Sequence, residues 1–91
     1  MLKLEWRETA LDDLDRIVTF IAQSSIAAAE RIQALAEEAA QRAASHPFAY
    51  RSGRVLGTRE AVFHPNYLIV YRVGSDTVAI INVLHARQRY P

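Results

Sequence analysis

The hydrophobic repeat changes period at Pro47, and no other feature of the chain restricts its fold as strongly. Before Pro47, apolar residues recur at helical spacing. Leu11, Leu14, Ile17, Val18 and Ile21 form one stripe, and Ile32, Leu35, Ala36, Ala39 and Ala43 form a second. After Pro47 the period is two: "GRVLG", "REAVF", "NYLIVYRV" and "TVAIINVL" read as strands. Gly57-Thr58, His64-Pro65-Asn66 and Gly74-Ser75-Asp76 separate them, each with turn chemistry. These connections are too short for crossovers, so the strands form an antiparallel meander. Helices segregated from strands along the chain imply an α+β domain with the helices on one face of the sheet.

Local signals refine the boundaries. "LKLEW" alternates with Leu2, Leu4 and Trp6 on one side, an opening strand expected to join the sheet. Thr9 followed by Asp12 resembles a capping box and predicts the start of the first helix. Ser24 and Ser25 break that helix and supply the next N-cap, and the second helix runs to "SHP". Its alanine face permits close antiparallel approach, so the two helices form an αα-hairpin. The last two strands are apolar on both faces, more than one helical layer covers, which predicts a second occupant for the far face.

With 91 residues, 51% of them hydrophobic, the chain is expected to build one domain, 1–91, around one modest core. It contains no cysteine, so disulfides and thiolate chemistry are excluded. The opening sixteen residues lack the charged and apolar regions of a signal peptide, and no segment approaches the roughly 20 apolar residues of a membrane span. A soluble, cytoplasmic protein without a membrane partner is the expectation.

The formal net charge of +1 conceals an asymmetry. Up to Ser45 there are five Lys/Arg against eight Asp/Glu; beyond it there are six against two. All six of those later cations are arginine: Arg51, Arg54, Arg59, Arg72, Arg87 and Arg89. The guanidinium fork binds carboxylate and phosphate bidentately and keeps its charge, so the set favours an anionic partner, nucleic acid or an acidic protein segment.

Candidate chemistry is confined to the second half. No glycine-rich phosphate loop or nucleophile elbow occurs, and His46, His64 and His85 lack metal-ligand spacing, so no metal or cofactor is expected. His46 and His64 each precede a proline and read as turn residues. His85 follows the last strand beside Arg87, Arg89 and Tyr90 in "VLHARQRYP". Metal-free RNA cleavage needs a base, an acid and fixed cations around the phosphorane. His85 has the type for base or acid, Glu60 for a weaker base, and Tyr90 for an acid or a stacking platform. For each residue alone, a packing or ion-pair role is the competing reading.

"RVLGTREAVFHPNYLIVYRV" followed by "INVLHARQRYP", behind Trp6 and the "ALDDLDRIVTFI" helix, resembles the RelE/ParE superfamily of bacterial toxins from type II toxin–antitoxin modules. The resemblance runs nearly end to end and implies two helices on an antiparallel sheet, and a cognate antitoxin that wraps the toxin. It leaves two mechanisms open, and the chemistry-capable residue types favour the first, ribosome-dependent mRNA cleavage. RelE-like members cut mRNA on the ribosome, a reading in which Arg59 and Arg87 stabilise the phosphorane, His85 is acid or base, and Tyr90 stacks or donates a proton. ParE-like members lack that set and poison DNA gyrase. An inactive binding module is a third reading. Two departures matter: "YRSGR" replaces the lysine-rich stretch of the nucleases, and the tyrosine-bearing extension stops at Tyr90-Pro91.

Overall fold

The computed structural model describes residues 2–90, so Pro91 lies outside the described residues. The elements are β1 (Lys3–Trp6), α1 (Glu8–Ala22), α2 (Ile26–Ser45), β2 (Arg51–Ser52), β3 (Arg59–His64), β4 (Tyr67–Val73) and β5 (Thr77–His85). The strands form one sheet in the order β1-β5-β4-β3-β2. β2 to β5 pair antiparallel as expected, whereas β1 lies parallel to β5, with Lys3 opposite Thr77 and Trp6 opposite Ile80. The sheet is therefore mixed. The αα-hairpin between β1 and the meander supplies the long connection that a parallel pair requires.

The helices cover one face. Ala10 and Leu14 of α1, and Ala36, Ala39, Ala40, Ala43 and Ala44 of α2, pack on Ile69, Tyr71, Val78, Ile80 and Val83. Small side chains on α2 let its backbone approach the sheet, and each fully buried Val or Ile beneath contributes about 1.5–3 kcal/mol. Ser25 caps α2 as expected, its hydroxyl accepting from the Ala28 N–H at 3.1 Å. No helix among the described residues is long and apolar enough to cross a membrane.

Two local expectations are corrected. Helix α1 starts one residue earlier than Thr9, with Arg7 at the N-cap and no side-chain cap. The Arg7 N–H instead donates to the Ile80 carbonyl at 2.9 Å, so strand pairing rather than a capping box sets the start. Secondly, "GRVLG" is not a strand: β2 is limited to Arg51–Ser52, and the chain then turns through Gly53–Thr58. Gly57 has φ +84°, a conformation that removes it from any strand.

Thr9 and Asp13 do other work. Between the pairs Val70–Asn82 and Tyr71–Ile80 the register slips, leaving Ile81 as the extra residue of a β-bulge in β5. The Thr9 hydroxyl donates to the Ile81 carbonyl at 2.5 Å. Asp13, one turn later, accepts from the Asn82 amide at 2.9 Å and from the Val83 N–H at 3.0 Å. Helix α1 thus takes up backbone groups that the bulge leaves outside the ladder.

The far face carries a smaller apolar cluster, Leu68, Val70 and Leu84, with Tyr90 packed against it. The occupant expected for that face is in part the chain's own tail. After β5 the Ala86 N–H donates to the Asn66 carbonyl at 2.7 Å and the Gln88 N–H to the His85 carbonyl at 2.9 Å, turning the tail back over the sheet.

Candidate functional site

Strand register sorts the predicted site residues between the two faces, because directly paired residues point to the same side. Arg51 pairs with Glu60, and Glu60 with Val70, which places all three on the far face with Tyr90. Arg59 pairs with Tyr71, and His85 pairs with Tyr67 two residues beyond the Ile69–Val83 pair, so Arg59 and His85 share the helical face.

On the far face Glu60 is the hub. Its residue is 4% exposed, and its carboxylate is shared among three partners. Oε1 accepts from Arg51 Nε at 3.1 Å and Nη2 at 3.0 Å; Oε2 accepts from the Arg54 N–H at 3.3 Å and lies 3.5 Å from Arg54 Nε. The Tyr90 hydroxyl also donates to Oε2. The Arg54 guanidinium lies 4.4 Å from the centroid of the Tyr90 ring, and its Nη1 donates to the Gln88 carbonyl at 3.2 Å. A buried carboxylate with this many charge-assisted partners is held in one position. Three predicted residues of the arginine-rich surface and tail, Arg51, Arg54 and Tyr90, therefore converge on a fourth, Glu60.

On the helical face Arg59 donates to the Tyr50 carbonyl at 2.7 Å and lies 5.0 Å from the centroid of the Phe48 ring. Below it Tyr71 is fully buried, its hydroxyl donating to the Pro47 carbonyl at 2.6 Å. Burial pushes the Tyr71 phenol above its ordinary value; the Arg59 guanidinium opposes that shift and Tyr50 adds to it. His85 lies at the opposite end of the strands. The pairs Arg59–Tyr71 and Tyr67–His85 are four positions apart on β4, roughly 13 Å along the strand direction.

His85 stands in edge contact with Tyr67, ring centroids 5.4 Å apart, over a groove lined by Arg16, Ile17 and Phe20 of α1. Its Nδ1 accepts from the Arg87 N–H at 3.1 Å. In the neutral ring the proton is then on Nε2, which leaves that nitrogen a donor. His64 makes the same turn, its Nδ1 accepting from the Asn66 N–H at 3.0 Å, the turn role expected of it. Arg87 and Arg89 are exposed in the tail. Arg72, on the far face, reaches the Leu56 carbonyl at 3.4 Å. No group of three or more metal-ligating side chains is present among the described residues.

Phe48 and Leu56 were not singled out by the sequence pattern, yet they are 68% and 95% exposed beside these arginines. The signal available was "GRVLG" itself: an apolar pair bracketed by glycines is as well suited to a turn as to a strand.

The family model described as the ParE toxin of the type II toxin–antitoxin system, parDE, matches residues 4–90. The chain belongs to the ParE toxin family. Y4kP of Sinorhizobium fredii, a toxin candidate, is 37% identical over 90 residues, covering 98% of this chain and 93% of the relative. Among solved structures, the chromosomal ParDE system of P. aeruginosa has a chain that superimposes with a TM-score of 0.74 at 21% identity, over 93% of this chain and 96% of that one. The RelBE2 toxin–antitoxin complex of Mycobacterium tuberculosis gives 0.69 at 24%, over 92% and 96%. The ParE-family sheet, with its helical hairpin, thus shares one fold with RelE-type toxins, and fold alone does not separate the two mechanisms.

Proposed function

We propose that this ParE-family protein is the toxin of a type II module, neutralised in the cytoplasm by a cognate antitoxin, and that it arrests growth by binding DNA gyrase rather than by cutting RNA. The observation that carries the reading is the separation of His85 from the other two acid–base candidates, Glu60 and Tyr90, which are bonded to each other within the far-face cluster. His85 and Glu60 lie on opposite faces of the sheet; the Glu60 carboxylate is spent on bonds within the fold, and His85 spends Nδ1 on the Arg87 N–H. General acid–base catalysis needs both groups within about 3 Å of the reacting atoms, or one water away. A binding poison needs neither.

Ribosome-dependent mRNA cleavage is the second reading, favoured by the stacking of Arg54 on Tyr90 at the exposed tail. In it Arg59 and Arg87 would stabilise the phosphorane while His85, Glu60 and Tyr90 supplied proton transfer. The experiment runs both assays on one preparation: relaxation and cleavage of plasmid DNA by purified gyrase, and primer extension on ribosome-bound mRNA. Gyrase-dependent double-strand breaks without mRNA cuts are expected. Codon-specific cuts on the ribosome with gyrase unaffected would replace this reading by the nuclease.

A further inference from the structure

Among the described residues, the loop between β2 and β3 exposes Leu56 more completely than any other large apolar residue, and hydrogen bonds brace the turn that carries it. The Thr58 N–H donates to the Val55 carbonyl at 3.1 Å, closing a turn with Leu56 and Gly57 at its centre. Gly57 at φ +84° fits the third position of a type II turn. Three further contacts brace it. The Gly53 N–H donates to the Thr58 carbonyl at 2.8 Å, the buried Thr58 hydroxyl donates to the Val55 carbonyl at 2.6 Å, and Arg72 donates to the Leu56 carbonyl at 3.4 Å. At Gly53 a Cβ would meet the Thr58 hydroxyl at 2.2 Å, so the base of the loop is closely packed. A braced loop that turns a leucine outward loses little conformational freedom when that leucine is covered.

Leu56 does not stand alone. With Phe48 it lines a hollow that also takes in Ser52, Gly57, Arg59 and Val73. Arg59 stacks on Phe48 at one side and Arg72 holds the Leu56 carbonyl at the other. No acidic side chain lines the hollow, and the nearby Glu60 is buried and spent on Arg51 and Arg54.

We infer that the hollow between Phe48 and Leu56 is a docking site for a target-protein segment that presents carboxylates around an apolar residue. Charge complementarity selects the carboxylates, because Arg59 lines the hollow with no acid facing it and Arg72 stands behind the turn at the Leu56 carbonyl. The aliphatic knob selects protein over nucleic acid: a leucine has neither the flat face that stacks on a base nor a group for a phosphate. Apolar anchors in a cationic rim match the centre-and-rim pattern of a binding hot spot. This inference rests on the binding-poison reading and names the surface through which the poison would act.

The test compares wild type, Leu56→Ser and Leu56→Met. Because Leu56 is exposed, all three should melt at the same temperature. Growth arrest on induction without antitoxin reads the surface whatever the target is. Arrest should fall roughly tenfold or more with serine and persist with methionine, which restores the apolar contact. Full arrest by the serine variant overturns the inference, as does full arrest with lost antitoxin neutralisation, which would move the tip to the antitoxin interface. Cleavage by purified gyrase separates this from the mechanism: arrest that depends on Leu56 but produces no gyrase breaks keeps the docking site and removes gyrase. Binding of a single-stranded RNA oligonucleotide that falls in parallel with arrest would make the partner nucleic acid, and the inference wrong. A wild type that arrests nothing removes both readings.

Discussion

Glu60 shows how a carboxylate of catalytic type can be turned into a fastener. Its burial would be unfavourable alone, and Arg51, Arg54 and Tyr90 together offset it. Glu60→Ala should therefore cost about 2 kcal/mol, the loss of charge-assisted hydrogen bonds whose arginines remain partly solvated. In a domain this small that is a fall of on the order of 10 °C in melting temperature, readable by circular dichroism. Tyr90→Phe keeps the ring on Leu68, Val70 and Leu84 and should lose only about 1 kcal/mol. Asp13 is the parallel case on the helical side. Asp13→Ala leaves the Val83 N–H at the bulge without its partner and should also cost about 2 kcal/mol. Neither role was legible in the sequence. Glu60 follows Arg59 directly in sequence, but alternation along β3 turns those side chains to opposite faces, and the partners of Glu60 come from β2, the β2–β3 loop and the tail. Asp13 and Val83 are separated by 70 positions in sequence, a distance no local pattern spans.

Elements with a strong hydrophobic period were readable, and elements set by tertiary pairing were not. Helices α1 and α2 and strands β3, β4 and β5 follow from apolar spacing, since each must bury a stripe or a face. The β2–β3 loop failed for a local reason: Val55 and Leu56 look like strand residues, and only the φ of Gly57 shows the turn. The direction of β1 against β5 was not readable for a global one, because either direction buries Leu4 and Trp6 on the helical side. The turn carries its own prediction. Gly57→Ala puts a Cβ in the left-handed region and within 2.9 Å of Arg72 Nη1. It should destabilise the domain by about 1–2 kcal/mol and shift the Leu56 amide in NMR spectra.

For the whole molecule, one buried phenol links the helical layer, the sheet and the arginines to pH. The folded state holds Tyr71 above its ordinary value of 10.0, so it favours the protonated form more than the unfolded chain does. The stability this contributes is complete below about pH 10 and is lost as pH rises through the folded value, since the unfolded chain then releases the proton first. Alkaline denaturation midpoints should show this loss in wild type and a smaller one in Tyr71→Phe, which also lacks the bond to the Pro47 carbonyl.

At the same scale the two faces of the sheet have different tasks. The helical face builds the core and carries His85 and Arg59 at opposite ends; the far face is fastened by Glu60 and the returning tail. That division is why the toxin is read as one that binds rather than one that transfers protons. Growth arrest by His85→Asn tests this most directly, because asparagine Oδ1 takes the place of Nδ1 and can still accept the Arg87 N–H but cannot carry a proton in catalysis. The expected result is arrest equal to wild type at matched expression and melting temperature. A loss of about 10²–10⁴ in potency, the usual cost of removing a general acid or base, would contradict it.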